Sequence, residues 1–479
     1  MSKKSIKKNY LYNTAFQILK VIIPIFTAPY IARVLGAEGN GIYGFTISVA
    51  TYFILLGGIG IDLYGQREIA FHQSDKEKRS NIFWELFILK IITMSISAVI
   101  FALSFGMSKE YGIYYQILLI EIIANMFDIS WFYQGIEDFR KTAIRNILIK
   151  ILSIISIFLF VKTANDTWIY VLIYACTTLI GSISLWFGLG KHIQKPKNLN
   201  FKKHLRPALA IFLPQIAVQI YTVLDKTMIG WITNDMNEVG YYEQSQKIIK
   251  ILLALVTSLG TVMLPRIANC FANNDFDTIK NYMKKTFQIV LMAVMPLMFG
   301  IIAVANRFVP IFFGDGYDNV VVLLQLLSTI VLFIGLSGII GTQYLLPTKR
   351  QKEYTTSIIA GAVTNIVLNS ILIYFFKSTG AAIATVIAEL VVTLVQIRFV
   401  WKELQLKNII PTILKYLSYS LIMFAICLAV NPFLPNGILG LTIQSLIGAS
   451  VYVLILLITH DNTIKILLQK NKGSRKKGL

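Results

Sequence analysis

The chain has 479 residues, of which 56% are hydrophobic and only 14% charged, and 45 Lys and Arg stand against 24 Asp and Glu for a net charge of +21. With a mean hydropathy of +0.66, this composition excludes an ordinary soluble domain and reads as a polytopic membrane protein. The three cysteines (Cys176, Cys270, Cys427) are scattered and the four histidines (His72, His192, His204, His460) fall in expected loops; neither set has ligand spacing, so no disulfide, metal site or cofactor is expected.

In chain order, the basic start MSKKSIKKN leads into a long apolar run with no small-residue cleavage site, so the first helix is expected to stay as a span. That span, 12–34, carries Asn13, Gln17, Lys20, Pro24 and Thr27 at spacings of four, three, four and three, which stacks them on one helical face. Pro24 and Pro29 remove backbone donors, which hydrocarbon tolerates only beside other helices or water, so this helix is expected to break there and to line a cavity. Arg33 closes the helix, and a glycine-rich hairpin through Gly36, Gly39 and Gly41 is expected to lead into the second span, 40–62.

Apolar runs of about 18–25 residues then fall at 83–105, 113–133, 143–162 and 167–189, the fourth span bearing Glu121, Asn125 and Asp128. After the polar stretch 190–206 comes 207–232, where Pro214 precedes Gln215, Gln219, Thr222 and Lys226, a stripe like that of the first span, with Asp225 beside it. The next span, 239–264, presents Glu243, Lys247, Lys250 and Thr257 on one face. The remaining spans are 284–306, 320–346, 355–376, 380–400 with Thr385, Glu389 and Gln396, 412–432 and 437–459. Fourteen spans put both termini on one side. Cations crowd alternate connections, from Lys3, Lys4, Lys7 and Lys8 through Lys76, Lys78, Arg79 and Lys195–Arg206 to the tail at 470–477, so both termini are expected in the cytoplasm. Topology accounts for most of the positive excess, and no aromatic-interleaved basic stripe calls for nucleic acid.

Short connections leave no room for an extramembrane enzyme domain, and no Walker, Gly-x-Ser-x-Gly or His-Glu-x-x-His motif is present, so the chain is not expected to be an enzyme. Sliding the sequence by 199 positions aligns Gly41-Ile-Tyr43 with Gly240-Tyr-Tyr242 and Arg67 with Arg266, as expected of two parallel repeats. The division reads 1–190 as an N-terminal lobe, 191–206 as linker, 207–402 as a C-terminal lobe, and 403–479 as two added helices with a basic tail. Charges inside spans cost about 2.5–3.5 kcal/mol each. Lys20, Lys226, Lys247 and Lys250 would therefore give a cavity wall of positive potential, suited to an anionic, phosphate-bearing passenger. Asp128, Asp225, Glu243 and Glu389 are candidates for ion coupling or gating, with H+ or Na+ as the ion.

The run Thr27-Ala-Pro-Tyr-Ile-Ala-Arg-Val-Leu-Gly-Ala-Glu-Gly-Asn-Gly-Ile-Tyr43, with Leu224-Asp-Lys-Thr-Met-Ile-Gly230 opening the second lobe, resembles bacterial Wzx-type polysaccharide repeat-unit flippases of the multidrug/oligosaccharidyl-lipid/polysaccharide exporter superfamily. The resemblance implies an all-α protein of about fourteen transmembrane helices, two six-helix lobes around a central cavity plus two C-terminal helices. It implies alternating access in the cytoplasmic membrane, turning undecaprenyl-pyrophosphate-linked oligosaccharide to the outer leaflet for capsule, exopolysaccharide or cell-wall polysaccharide. Pathway polymerase and glycosyltransferases would be its neighbours. Carried onto this chain, the cavity cations would be Lys20, Arg33, Lys226, Lys247 and Lys250. Relatives that flip the peptidoglycan precursor are richer in arginine on the first helix, where this chain has Lys20. That precursor, and an organic cation exported by an ion-coupled multidrug transporter, are the competing passengers.

Overall fold

The computed structural model describes residues 6–260, 263–461 and 463, with side chains excepted at 6–21, 213–222, 255 and 258–260. The described residues are helical with short connections and no strand, which is how a chain in hydrocarbon satisfies every backbone donor and acceptor within its own segment. Ten helices among them are long and apolar enough to cross a membrane, two of those being 50-residue stretches, Ile22–Phe71 and Gln351–Val400, the second of which holds two of the expected spans. The chain is an all-α, multi-pass membrane protein. It divides into two compact units, Met1–Glu243 and Gln244–Leu479.

In the first unit, α1 (Ile6–Gly58) is a 53-residue helix that runs through Pro24 and Pro29 and leaves helical dihedrals at Gly36, with φ 67° and ψ −178°. Two expectations are corrected here. The prolines do not break the helix in dihedral terms, and the expected glycine-rich hairpin is a one-residue break. Only glycine adopts that conformation without a Cβ clash, so Gly36 can take the whole change of direction while Gly39, Gly41 and Gly44 continue in the helix. Next come α2 (Ile61–Phe71), α3 (Lys76–Phe105), α4 (Gly112–Phe127), α5 (Ser130–Gly135), α6 (Phe139–Phe160), α7 (Thr167–Ser184), α8 (Lys202–Thr233) and α9 (Met236–Gly260). Between α8 and α9 the break is again left-handed, at Asn234 with φ 52°.

Aromatic packing joins α3, α5 and the residues after α7 in this unit. Phe83 stacks on Trp131 at 5.6 Å, and Phe87 meets Trp186 edge-on at 4.6 Å. Such pairs contribute about 0.5–1.5 kcal/mol each beyond their burial. Along the same stretch of α3 the connection before α8 is strapped down. Ser80 Oγ, Asn81 Oδ1 and Glu85 Oε1 accept from the backbone of Gln194, Lys197 and Asn200 at 3.0, 3.0 and 2.7 Å. The strap ends in a correction: His204 is not in a loop but inside α8, buried, with Nε2 2.9 Å from Glu85 and Nδ1 2.9 Å from the Tyr64 hydroxyl. The helix begins before the apolar run does, which hydropathy alone does not register.

The second unit repeats the order of elements. After the end of α9 come the short α10 (Leu264–Ala272) and the long α11 (Phe276–Phe313), then α12 (Asp318–Leu327) and α13 (Thr329–Ile340), which passes into a π-turn at Gly341–Leu345. The 50-residue α14 (Gln351–Val400) breaks at Lys377, with φ 49° and ψ −129°. The parallel extends to the caps, since Asp75 accepts from Lys78 N at the start of α3 and Asp275 from Thr278 N at the start of α11, at 3.0 and 3.1 Å. Those donors hold both exposed carboxyls below the usual carboxylate range. Helices α15 (Ile410–Val430) and α16 (Ile438–Ile458) complete the unit and pack on α11. Arg307 fixes their connection by donating to Asn431 O at 2.6 Å and Pro435 O at 2.8 Å.

Candidate functional site

The polar residues expected to line a cavity fall into three groups. Asn13, Gln17, Lys20, Pro214, Gln215, Gln219 and Thr222 have side chains outside the described residues. Lys247, half-buried, and Lys250, exposed, stand on the part of α9 that belongs to the second unit, as does half-buried Glu389 on α14. The rest lie in the first unit, and Asp225, Lys226 and Glu243 stand where α1, α8 and the start of α9 meet.

There Lys226, 7% exposed, pairs with Glu243 at 2.9 Å. Its neighbour Asp225, 3% exposed, accepts from the Tyr242 hydroxyl at 2.5 Å. One position along, Thr227 shares a 2.9 Å hydrogen bond with Tyr52 of α1. Consecutive helical residues point about 100° apart, so the run 225–227 engages both α9 and α1. A lysine taken out of water needs a counter-charge, and Glu243 supplies it. Of the expected site residues, the structure thus brings Lys226, Asp225 and Glu243 together.

This pairing depends on a close crossing of backbones. A Cβ built on Gly41 would lie 1.7 Å from Met236 O, and one on Gly240 would lie 2.0 Å from Ala37 O. Residues 37 and 236 correspond under the offset of 199 that relates Gly41 to Gly240, so the contact is reciprocal: each copy of the glycine faces the carbonyl of the other copy. Gly41 and Gly240, read from sequence as repeated turns, are helical and mark a close contact of α1 with α9. Gly44, one turn on, faces Glu243, whose Cβ would be 3.5 Å away.

The remaining expected residues do other work. Thr27 returns its hydroxyl to Ile23 O at 3.2 Å, and Arg33 is exposed on α1. Asp128 stands at the break between α4 and α5. One carboxylate oxygen accepts from Ser130 N at 2.7 Å, the other pairs with Arg145 at 2.6 Å, and Lys90 bonds its carbonyl at 3.0 Å. It therefore secures the break between α4 and α5. Lys90 itself is buried and paired with Asp62 at 2.8 Å. Sequence reasoning missed Tyr242, Tyr52 and Thr227, because a hydroxyl on an apolar helix gains meaning only once its neighbour is known. Among the described residues no group of three or more His, Cys, Asp or Glu can hold a metal ion.

The comparisons agree with this architecture. The family model described as Polysaccharide biosynthesis protein matches residues 6–271, and the MatE model matches 210–371. A protein of Escherichia coli (strain K12) named "Putative O-antigen transporter" is 26% identical over 415 residues, 83% of this chain and 97% of that protein. Among solved structures, lipid II flippase MurJ in an inward closed conformation superposes with a TM-score of 0.70 at 21% identity, over 95% of this chain and all of that one. An inward-facing multidrug resistance MATE family transporter gives 0.61 at 16% identity, over 83% of this chain and 94% of its own. The first family model spans more than half of the chain, and the chain therefore belongs to the polysaccharide biosynthesis protein family, as a transporter or flippase of the multidrug/oligosaccharidyl-lipid/polysaccharide exporter superfamily.

Proposed function

We propose that the protein turns a polyprenyl-pyrophosphate-linked oligosaccharide across the cytoplasmic membrane by alternating access between two six-helix lobes, 1–190 and 207–402, with 191–206 as linker and 403–479 as an addition. Both termini are cytoplasmic in this reading. The observation that carries it is the buried Lys226–Glu243 pair at 2.9 Å. A lysine whose carboxylate partner is mobile can exchange it for a pyrophosphate, because both offer anionic oxygens to the same ammonium. The exchange leaves no buried charge uncompensated at either end of the cycle. Lys20, Lys247, Lys250 and Arg33 are proposed to extend the cationic path, and the sugars to travel in the wet interior while the polyprenyl tail stays in lipid. No bond of the passenger is made or broken, and the work comes from an ion gradient or the membrane potential, about 2.3 kcal/mol per charge per 100 mV.

The O-antigen and lipid II relatives support a lipid-linked saccharide as passenger. An organic cation would instead favour acidic and aromatic walls. The test is reconstitution in liposomes with a labelled polyprenyl-pyrophosphate oligosaccharide. The wild type moves the label between leaflets, Lys226→Ala stops it, and Lys226→Arg retains a part, since a cation is needed and no particular fork geometry. Full movement by Lys226→Ala would remove Lys226 from the mechanism. Export of a cationic dye with no movement of the labelled lipid would overturn the substrate reading.

A further inference from the structure

Glu121, in the middle of α4, is 8% exposed, and its Oε2 is buried with no hydrogen-bond partner among the described residues. On one side the Thr178 hydroxyl of α7 reaches its carboxyl. Tyr43 of α1 feels its charge and packs in turn against Tyr170 and Tyr174 of α7. Tyr43 lies edge-on to the other two at 4.9 and 5.7 Å. Among the described residues a cation acting on the carboxyl is Lys150 of α6, whose ammonium sits over the Tyr174 ring, 5.3 Å from its centroid. On α3, Lys90 is turned to Asp62 and to Asp128 O instead. A bare carboxylate so placed has only the Thr178 hydroxyl and the more distant Lys150 ammonium to set against its burial. The same carboxyl carrying a proton is a neutral donor among hydroxyls. Tyr43 lies close enough to feel both Glu121 and Glu243, and Glu243 is the residue that holds Lys226.

We propose that Glu121 is a proton-binding site of the first unit, and that its loading is coupled through Tyr43 and Tyr170 to the Lys226–Glu243 pair. When Glu121 holds its proton, Tyr43 faces a single negative charge, that of Glu243, and an anionic passenger can take the place of Glu243 on Lys226. When the proton leaves, a second negative charge appears beside Tyr43. That charge repels a pyrophosphate on Lys226 more strongly than it repels the singly charged Glu243 carboxylate, so it favours the return of Glu243 to Lys226, which is the step that releases an anionic passenger. The proton count balances, since one proton leaves Glu121 and one returns to it in each cycle. This deepens the function proposed above and rests on it for the identity of the passenger.

The first measurement is independent of transport: infrared spectra of the purified protein in lipid nanodiscs at neutral pH. The wild type shows the carbonyl band of a protonated buried carboxylic acid, which shifts in D2O and is missing in Glu121→Gln. A band unchanged in that variant, or one that answers to Na+ and not to pH, overturns the proposal. Should Glu121→Gln fail to assemble, Tyr43→Phe keeps the carboxyl and removes a hydroxyl beside it, and it must shift the band. An unshifted band overturns the role of Tyr43. The second measurement uses proteoliposomes with the labelled polyprenyl-pyrophosphate oligosaccharide under a pH gradient. One proton per passenger sets a limit of about tenfold accumulation per pH unit, and Glu121→Gln removes the response to the gradient. An equal response in the variant defeats the coupling. If the wild type moves no labelled lipid under any condition, the substrate reading falls while the infrared band still decides the proton site.

Discussion

Lys226 and Glu243 are the residues on which the proposed chemistry turns, and their burial makes them energetically visible. Their side chains are only 9% and 12% exposed, so removing one partner strands the other charge, at a cost of about 3–5 kcal/mol. Glu243→Gln is therefore expected to lower the thermal unfolding midpoint of the purified protein markedly, and adding Lys226→Met is expected to recover most of the loss. A double variant no more stable than the single one would show that the pair is not the stabilising unit. Lys226 and Glu243 were each legible as intramembrane charges, because a charge in an apolar run stands out in any window. Their partnership was not, since it joins positions 17 residues apart on two helices whose relative placement hydropathy does not report.

Among the helices, the crossing of α1 and α9 has the least tolerance. With Cβ positions only 1.7 and 2.0 Å from carbonyl oxygens, Gly41→Ala or Gly240→Ala cannot keep the present separation, and overpacking of this kind costs about 1–3 kcal/mol or more. Gly44 and Val239 face each other here, with a Cβ at Gly44 3.6 Å from Val239 Cγ1. A cysteine pair at 44 and 239 should cross-link readily, and adding Gly41→Ala should cut the yield severalfold. An undiminished yield would show that the helices can separate without losing the contact. The end of α16 offers a pH test. Burial pushes the Asp461 carboxyl up, but the ion pair with Lys415 at 2.5 Å and the bond from Thr463 N at 2.7 Å outweigh it and hold it below the usual range. A depressed carboxylate stabilises above its unfolded pKa of about 3.9 and loses that contribution as pH falls through its lower folded value. Hydrogen exchange at the end of α16 should therefore accelerate below about pH 4 in the wild type and be fast at neutral pH in Asp461→Asn. Exchange that ignores both changes would remove the tie.

For the molecule as a whole, the distribution of cations makes a topological prediction. In a chain freed of Cys176, Cys270 and Cys427, a cysteine at Ser108 should react with an impermeant reagent on intact cells, and one at Ser474 only after permeabilisation. The reverse pattern would invert the proposed orientation. That the protein is all-helical and crosses a membrane many times follows from composition and hydropathy, because transfer to hydrocarbon is a property each segment carries with it. Among the described residues the fourteen apolar runs fall mainly on helices, with breaks such as the one between α4 and α5. The offset of 199 was legible only as an alignment. Its physical content, the reciprocal approach of Gly41 and Gly240 to each other's backbones, appeared once the helices were seen to touch. The same holds for the Lys226–Glu243 pair, for Asp128 as the holder of a helix break, and for Tyr43 as a neighbour of Glu121. Each depends on which faces of distant helices meet, and packing inside a membrane protein sets that through contacts to which hydrophobicity, uniform across lipid and core alike, is blind.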